Sequence, residues 1–377
     1  MDEPQSAELE TWLAEPLSPA IIESVSRLRL ADGVKKVCLM PDVHLAKEVC
    51  VGAVVATEGV IYPQAVGNDI GCGISALPFD LPADAIDNQR AACQLLAGLY
   101  EAVPSNKHRR AQTLPDNLKP EELSDTRLAK IAKRDGAVQL GTLGRGNHFL
   151  EFQSDEHGQL WVMLHSGSRA LGQAIALHHA KQATIGPAGL VGLDANSERG
   201  QAYLCDAAWA RSYASENRLA MLRAVGSLMQ RLFGVEAAWD ELIHADHNHV
   251  QHEERGSETL FVHRKGAQSA RIGEPGVVPG SMGSPSFHTK GRGCRAAFNS
   301  CSHGAGRKLS RTEARRTISP KTFQQQVGSL WFDHRRTNQL RDESPAAYKN
   351  IREVMRAQQE LTKVLRELRP VLNYKGC

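Results

Sequence analysis

No run of about 18 uncharged apolar residues occurs in the 377-residue chain, so the sequence excludes a membrane-crossing helix. The amino-terminal stretch MDEPQSAELETW lacks the basic-then-apolar order of a secretion signal, which predicts a cytosolic, cytoplasmic protein. There is also no CxxC pair among the eight cysteines, Cys38, Cys50, Cys72, Cys93, Cys205, Cys294, Cys301 and Cys377. That spacing argues against a disulfide framework and against a four-cysteine zinc site. Most of them read as small buried hydrophobes, Cys72 excepted. Internal repeats, low-complexity linkers and obvious boundaries are missing as well. Chemistry-bearing residues nevertheless run from Asp42 to Lys375, so one domain over 1–377 is expected to bring them together.

What is present is an ordinary globular composition, 41% hydrophobic and 23% charged, with a formal net charge of +3. The charge is unevenly spread: from Lys290 to Arg341 twelve Lys or Arg stand against two acids, Glu313 and Asp333. Such a run is commonly a solvated surface. Here it surrounds a Gly/His cluster, which favours a polyanion such as RNA.

Pattern alone predicts mixed α and β structure. The first 30 residues suggest a short peripheral helix, and strands are expected at Val34–Met40, Val51–Val55 and Trp161–His165. Ala83 to Lys133 reads as a helical peripheral segment and Ala170–Lys181 as a helix. Residues 198–233 read as a long helix with Leu204, Trp209, Leu219, Leu222 and Leu228 toward the core. Short strands alternate with Gly/Pro turns between Leu242 and Asn299. Ile351, Val354, Met355, Leu361, Val364 and Leu365 fall near helical spacing, which predicts a helix over Ala346–Leu368.

Histidines and glycines concentrate in PDVH (41–44), GNDIGCG (67–73), GTLGRGNHFLE (141–151), HSGSR (165–169), DHNH (246–249) and HGAGR (303–307). In GNDIGCG, Asp69 and Cys72 are spaced to converge on one ion, and a thiolate with a carboxylate suits a borderline divalent cation. A buried cysteine and a turn-forming aspartate explain the same letters without metal. The flanking glycines, which open backbone conformations closed to other residues, tilt the reading toward a site. The glycines before Asn147 and His148 could bring backbone N–H groups to phosphate oxygens. His165 ends an apolar strand, where a satisfied core histidine is the ordinary alternative, and Arg169 opens a helix and could grip a phosphate. DHNH reads as a loop in which His247 and His249 both qualify as ligands, and His247 is the one chosen. His303 precedes a Gly-Ala-Gly turn, with a basic helix containing Lys308, Arg311, Arg315 and Arg316 expected to follow. That would set a nucleotide phosphate against a helix N-terminus, within reach of an imidazole that could form a phosphoramidate. Singly, each motif is explained as well by ordinary structure.

Taken in order, these motifs with HRKGA, PGSMG (279–283), AYK and a terminal KG resemble the RtcB tRNA-splicing and RNA-repair ligases, from about Pro41 to Gly376. The resemblance implies an α+β fold with mixed β-sheets and flanking helices around a central metal and nucleotide cleft. It implies that residues 346–377, a helix and tail, close the nucleotide pocket. The implied activity is joining of RNA 2′,3′-cyclic phosphate or 3′-phosphate ends to 5′-hydroxyl ends, using GTP and Mn²⁺, two ions being expected. Asp69, Cys72, His148, His165 and His247 become the metal ligands and His303 the residue that takes GMP, with Asp42 as a further catalytic residue. Asn147 would hold nucleotide phosphates, while Glu151, Tyr348 and Lys375 would contact guanine. Ser281 and the turn of Gly304, Ala305, Gly306 and Arg307 would complete the pocket, and Arg169 and Lys265 would hold RNA or phosphate. The choice of Mn²⁺ comes from the family alone, since this ligand set would hold Zn²⁺ at least as tightly.

After PDVH this chain reads LAKEVCVGAV where the family has a glycine-rich loop, although Asp42 and His44 are kept, and Cys377 follows the terminal Lys-Gly. These departures suggest a divergent bacterial-type branch with a repair role or a narrower RNA substrate. RNA with broken ends is the expected partner, and an activating protein is left open. Two other readings use the same residues: a metal-dependent phosphoesterase or nuclease without covalent guanylylation, and a non-catalytic RNA- or nucleotide-binding protein. The phosphoesterase leaves HGAGR unexplained, and every candidate ligand position still carries a ligating residue, against decay to mere binding.

Overall fold

Runs of Val and Ala that bury both faces form the middle of a five-stranded sheet in the computed structural model, which describes residues 6–181, 183–186, 188–255 and 258–376. Its strands lie in the order Glu8–Thr11, Val34–His44, Val51–Thr57, Glu258–Lys265, Asn248–Arg255, with the first pair parallel and the rest antiparallel. A second, antiparallel sheet of seven strands runs Ile243–Asp246, Gly73–Pro82, Gln159–Ser166, Phe149–Ser154, Thr362–Lys375, Ser286–Gly291, Pro275–Val278. Gly73–Phe79 is buried throughout, as a strand covered on both faces must be. The architecture is α+β, as the motif resemblance implied.

The helix Glu198–Phe233 starts at the Ser197 cap, whose side chain accepts the Gly200 N–H, and stops at Gly234 in the left-handed conformation. It buries Trp209, Leu222 and Leu228 as expected, while Leu204 and Leu219 are only half-buried. Each fully buried Leu contributes about 1.5–3 kcal/mol. Met221, Leu222, Val225 and Leu228 join the apolar cluster beneath the second sheet, which is the floor of the site described below. Among the described residues no helix is long and apolar enough to cross a membrane.

Three expectations about local structure are corrected. Residues 346–368 do not form one helix: a helix covers Ile351–Ala357 only, and Thr362–Lys375 is a long strand. This strand pairs with Ser286–Gly291 over its first half and with Phe149–Ser154 over its second. Backbone partners on both sides, β-branched residues and Pro370, at an irregularity of the ladder, outweigh a helical spacing of apolar residues. Ala83 to Lys133 is helical only at Gln89–Ala102 and Thr126–Ile131, apart from short single turns. DHNH is not a loop; Asp246 ends a strand of one sheet, Asn248 begins a strand of the other, and His247 is the residue between. The amino-terminal helix, Pro19–Arg29, is present and is preceded by the edge strand Glu8–Thr11.

Candidate active site

Strand ends from both sheets deliver the candidate ligands to one buried point. Asp69 and Cys72 lie in the turn before Gly73–Pro82, His148 precedes Phe149–Ser154, and His165 is next to last in Gln159–Ser166. His247 is anchored to the first loop by its N–H, which donates to the Cys72 carbonyl at 2.8 Å. Cys72 Sγ lies 3.2 Å from His165 Nε2 and 3.5 Å from His148 Nε2, and His165 Nε2 lies 3.3 Å from His247 Nε2. His148 Nε2 is also 2.9 Å from Asp69 Oδ2. All five expected ligands are therefore together, in two overlapping groups, Cys72–His165–His247 and Asp69–Cys72–His148.

This donor set fits a divalent cation. Bonds of about 2.0–2.3 Å in a tetrahedron put ligand atoms roughly 3.3–3.8 Å apart, close to the 3.2–3.5 Å among the Cys72, His148, His165 and His247 donors, while Asp69 Oδ2 stands nearer to His148, at 2.9 Å. Two Nε2 atoms facing each other at 3.3 Å cannot both offer lone pairs without a cation or a proton between them. The His165 ring is oriented by the Asn147 carbonyl, 3.2 Å from Nδ1, which leaves Nε2 as the ligating nitrogen. Burial, then the neighbouring His148 and His303, pushes His165 well below the usual histidine range, and burial then His303 does the same to His247. Both are thus neutral imidazoles, as metal ligands must be. The Asp69 carboxyl is held down to about 2 because the His148 hydrogen bond overcomes its burial, and burial pushes the Cys72 thiol well up.

Close packing around the ligands explains two glycines. Gly144 has φ +98°, and a Cβ there would collide with His148 Nδ1 and the Arg169 guanidinium. A Cβ on Gly167 would overlap the Asp69 carboxylate. Either side chain would displace a ligand.

His303 stands beside the cluster, its ring centroid 4.6 Å from that of His247. It follows the strand Ser300–Ser302, and its Nδ1 lies 2.6 Å from Oδ2 of the fully buried Asp42. A Nδ1–H donated to that carboxylate leaves Nε2 with the free lone pair. The cavity next to this ring is lined by Asn147, Glu151, Ser281, the Gly304–Arg307 turn, Tyr348 and Lys375, so every residue expected to bind the nucleotide faces one space. Glu151 accepts from Asn373 Nδ2 at 2.7 Å and Gln153 Nε2 at 2.8 Å, yet burial raises its carboxyl to about 7. Arg307 donates to the Tyr348 hydroxyl at 2.7 Å and stacks on its ring, and that hydroxyl donates to Glu343 at 2.7 Å. Lys375 and Arg311 hold Glu343 down to about 2 against its burial.

Other expected residues lie apart from the cavity lining. Arg169, at φ +60°, points behind the 141–148 loop and donates to Thr142 Oγ1 at 3.2 Å. Lys265 runs beneath Gly67, and burial lowers its ammonium. His249 is buried away from the cluster against Asp246 Oδ1 at 2.8 Å, so His247 alone of that pair reaches the candidate metal site. The basic helix after HGAGR begins only at Arg311, capped by its own Ser310, so the 304–307 turn is not a helix N-terminus.

Two residues at the site had no signal in the motifs. Asn373 shares a strand face with the expected Lys375 at period two, which the helical reading of the C-terminal stretch hid. Glu343 lies in an apparently ordinary charged segment and acquires its place only when that segment folds over the cavity.

Comparison with known proteins gives the family to which the chain is similar over nearly its whole length. The family model described as "tRNA-splicing ligase RtcB" matches residues 22–126 and 116–376. RNA-splicing ligase RtcB of Escherichia coli K12 is 36% identical, the match covering 91% of this chain and 90% of that one. RNA-splicing ligase RtcB1 of a second E. coli strain is 37% identical over the same shares. The tRNA-splicing ligase RtcB of Methanococcus maripaludis is 28% identical, covering 93% of this chain and 90% of its own. With its ligand cluster, histidine and cavity assembled from the same ordered motifs, the chain belongs to the RtcB family of RNA-splicing ligases.

Proposed function

We propose that this chain joins an RNA 2′,3′-cyclic phosphate or 3′-phosphate end to a 5′-hydroxyl end in the cytoplasm, using GTP and Mn²⁺, by way of guanylylated His303. The observation that carries the proposal is the Asp42–His303 pair at 2.6 Å, set between five residues able to hold a metal and a cavity with a buried carboxylate. Asp42 holds Nδ1, and Nε2 attacks the α-phosphorus of GTP, releasing pyrophosphate and forming a phosphoramidate. An oxygen of the RNA 3′-phosphate then displaces His303, giving an RNA–guanylate anhydride. The 5′-hydroxyl of the second strand attacks the RNA-derived phosphorus and GMP leaves. A cyclic phosphate is first opened by water to the 3′-phosphate.

Cations held by Asp69, Cys72, His148, His165 and His247, two in number, would neutralise phosphate charge and polarise the reacting phosphoryl groups. Glu151 reads the guanine edge, since an ionised carboxylate accepts two adjacent N–H groups that adenine does not present. Tyr348 and Lys375 complete the base site, and Asn147, Ser281 and residues 304–307 hold the phosphates. Arg169 and Lys265 supply positive charge to the RNA. Repair of broken RNA and splicing of tRNA both require these ends, and the names of the relatives favour splicing substrates.

Covalent labelling with α-labelled GTP and Mn²⁺ tests the reading. Wild type is expected to acquire acid-labile label that His303→Ala and Cys72→Ala both lose. An unlabelled wild type that still cleaves RNA or a phosphoester in the presence of metal would replace the ligase with a phosphoesterase.

A further inference from the structure

Two consecutive residues of the long helix, Asn217 and Arg218, join the three loops that carry the candidate ligands Asp69, Cys72, His148 and His165. Asn217 is fully buried and uses both ends of its amide. Its Oδ1 accepts from the N–H groups of Gly141 at 2.7 Å and Thr142 at 3.1 Å. Its Nδ2 faces the Thr142 carbonyl at 3.2 Å, Ser166 Oγ at 3.1 Å and the Gly167 carbonyl at 3.2 Å. Arg218 is 2% exposed; its Nη1 donates to the carbonyls of Gly71 at 2.7 Å and Ser166 at 2.9 Å, and its Nε to His244 Nε2 at 2.9 Å.

Gly71 immediately precedes Cys72, Ser166 immediately follows His165, and Gly141–Thr142 open the loop that ends at His148. One guanidinium nitrogen therefore bridges the loops whose donor atoms, Cys72 Sγ and His165 Nε2, are 3.2 Å apart. One amide ties the His148 loop to the same point. Packing alone gives no reason for this pair. A buried guanidinium is costly, and although Asp246 and Asp69 lie near enough to favour its charge, its hydrogen-bond partners are two carbonyls and an imidazole rather than a carboxylate. What an apolar side chain lacks is the rigid array of donors that sets the spacing of those carbonyls.

We propose that Asn217 and Arg218 are positioning residues that pre-set the metal cluster, acting through the backbone of the ligand-bearing loops. The inference rests on the metal reading of the cluster given above. Without the pair the donors drift apart while the helix and sheets stay in place.

Co²⁺ titration of the full chain, read by the thiolate-to-cobalt charge-transfer absorbance, tests the role with a readout independent of ligation. Wild type is expected to show the band and Cys72→Ala to lose it. Arg218→Lys keeps the charge but not the fork, and Asn217→Asp keeps the shape but loses the Nδ2 donors. Each, with an unchanged far-UV spectrum, is expected to bind Co²⁺ about 10–100-fold more weakly and with an altered band. His244→Ala, at a half-buried position outside the cluster, removes only the partner of Arg218 Nε and is expected to weaken binding several-fold. Unchanged affinity and band in the folded variants would overturn the positioning role while leaving the metal site standing. If the two buried variants do not fold, unchanged binding by His244→Ala overturns it instead. A wild type that binds no Co²⁺ overturns the metal reading and this inference together.

Discussion

Asp42 and His303 are 261 positions apart in the chain, and their 2.6 Å contact sets which imidazole nitrogen is free to act as the proposed nucleophile. A carboxylate can only accept from Nδ1–H, whereas the amide of Asp42→Asn can donate to Nδ1 and invert the tautomer. Guanylylation by a folded Asp42→Asn protein is expected to fall on the order of 10²–10⁴-fold, read by single-turnover labelling. A rate near that of wild type would remove the tautomer role. Glu151 offers a second test, because burial places its carboxyl at about 7 against hydrogen bonds from Asn373 and Gln153. The proposed guanine recognition needs the ionised form, so GTP affinity is expected to increase as pH rises through about 7 and to lose that dependence in Glu151→Gln. The stability effect has the opposite direction. A carboxyl raised in the folded state holds a proton that the unfolded chain has released, so stability falls as pH rises from its ordinary value to about 7. Thermal unfolding without nucleotide should therefore show Glu151→Gln more stable than wild type above neutrality, with roughly 1–3 kcal/mol at stake. Equal melting at all pH values would contradict the buried, raised carboxyl.

The C-terminal strand is the element where local pattern and tertiary pairing disagree most. A helix over 346–368 would bury Val364 and Leu365, but these are 42% and 44% exposed, while Leu372 is fully buried against the second sheet. Leu372→Ala is expected to cost about 2–5 kcal/mol in urea unfolding, as for other emptied core positions. Val364→Ala should cost well under that, within about 0.5 kcal/mol. The reverse order of costs would restore the helical reading. Elements with one dominant periodicity were legible: Glu198–Phe233 carries a Ser cap, a Gly stop and an apolar stripe, all local signals. Thr362–Lys375 was not legible, since its partners Phe149–Ser154 and Ser286–Gly291 are remote in the chain and no local pattern names them.

Across the whole molecule, the ligand cluster sits where the two sheets are connected, with His247 between a strand of each. Cations held by Asp69, Cys72, His148, His165 and His247 would cross-link loops from both sheets, and binding to the folded chain alone stabilises it by mass action. Mn²⁺ at a hundredfold excess over its dissociation constant is expected to add about 2.7 kcal/mol to wild-type unfolding. Cys72→Ala should lose most of that gain, and calorimetry with and without Mn²⁺ measures both. An equal gain in the variant would place the binding elsewhere.

The sequence by itself determined the family and the candidate residues. The Cys/His/Asp types, the His303 turn, the glycines and the resemblance are properties of short stretches, and the five candidate ligands are brought together in the fold. Only the tertiary structure decided that His247 sits between strands of the two sheets, that Arg169 and Lys265 stand outside the cavity lining, and that Asn217 and Arg218 lie under the ligand loops. The physical reason is distance along the chain. A motif is local, but the direction of a side chain and its partners depends on strand pairings and helix packing between residues tens to hundreds of positions apart.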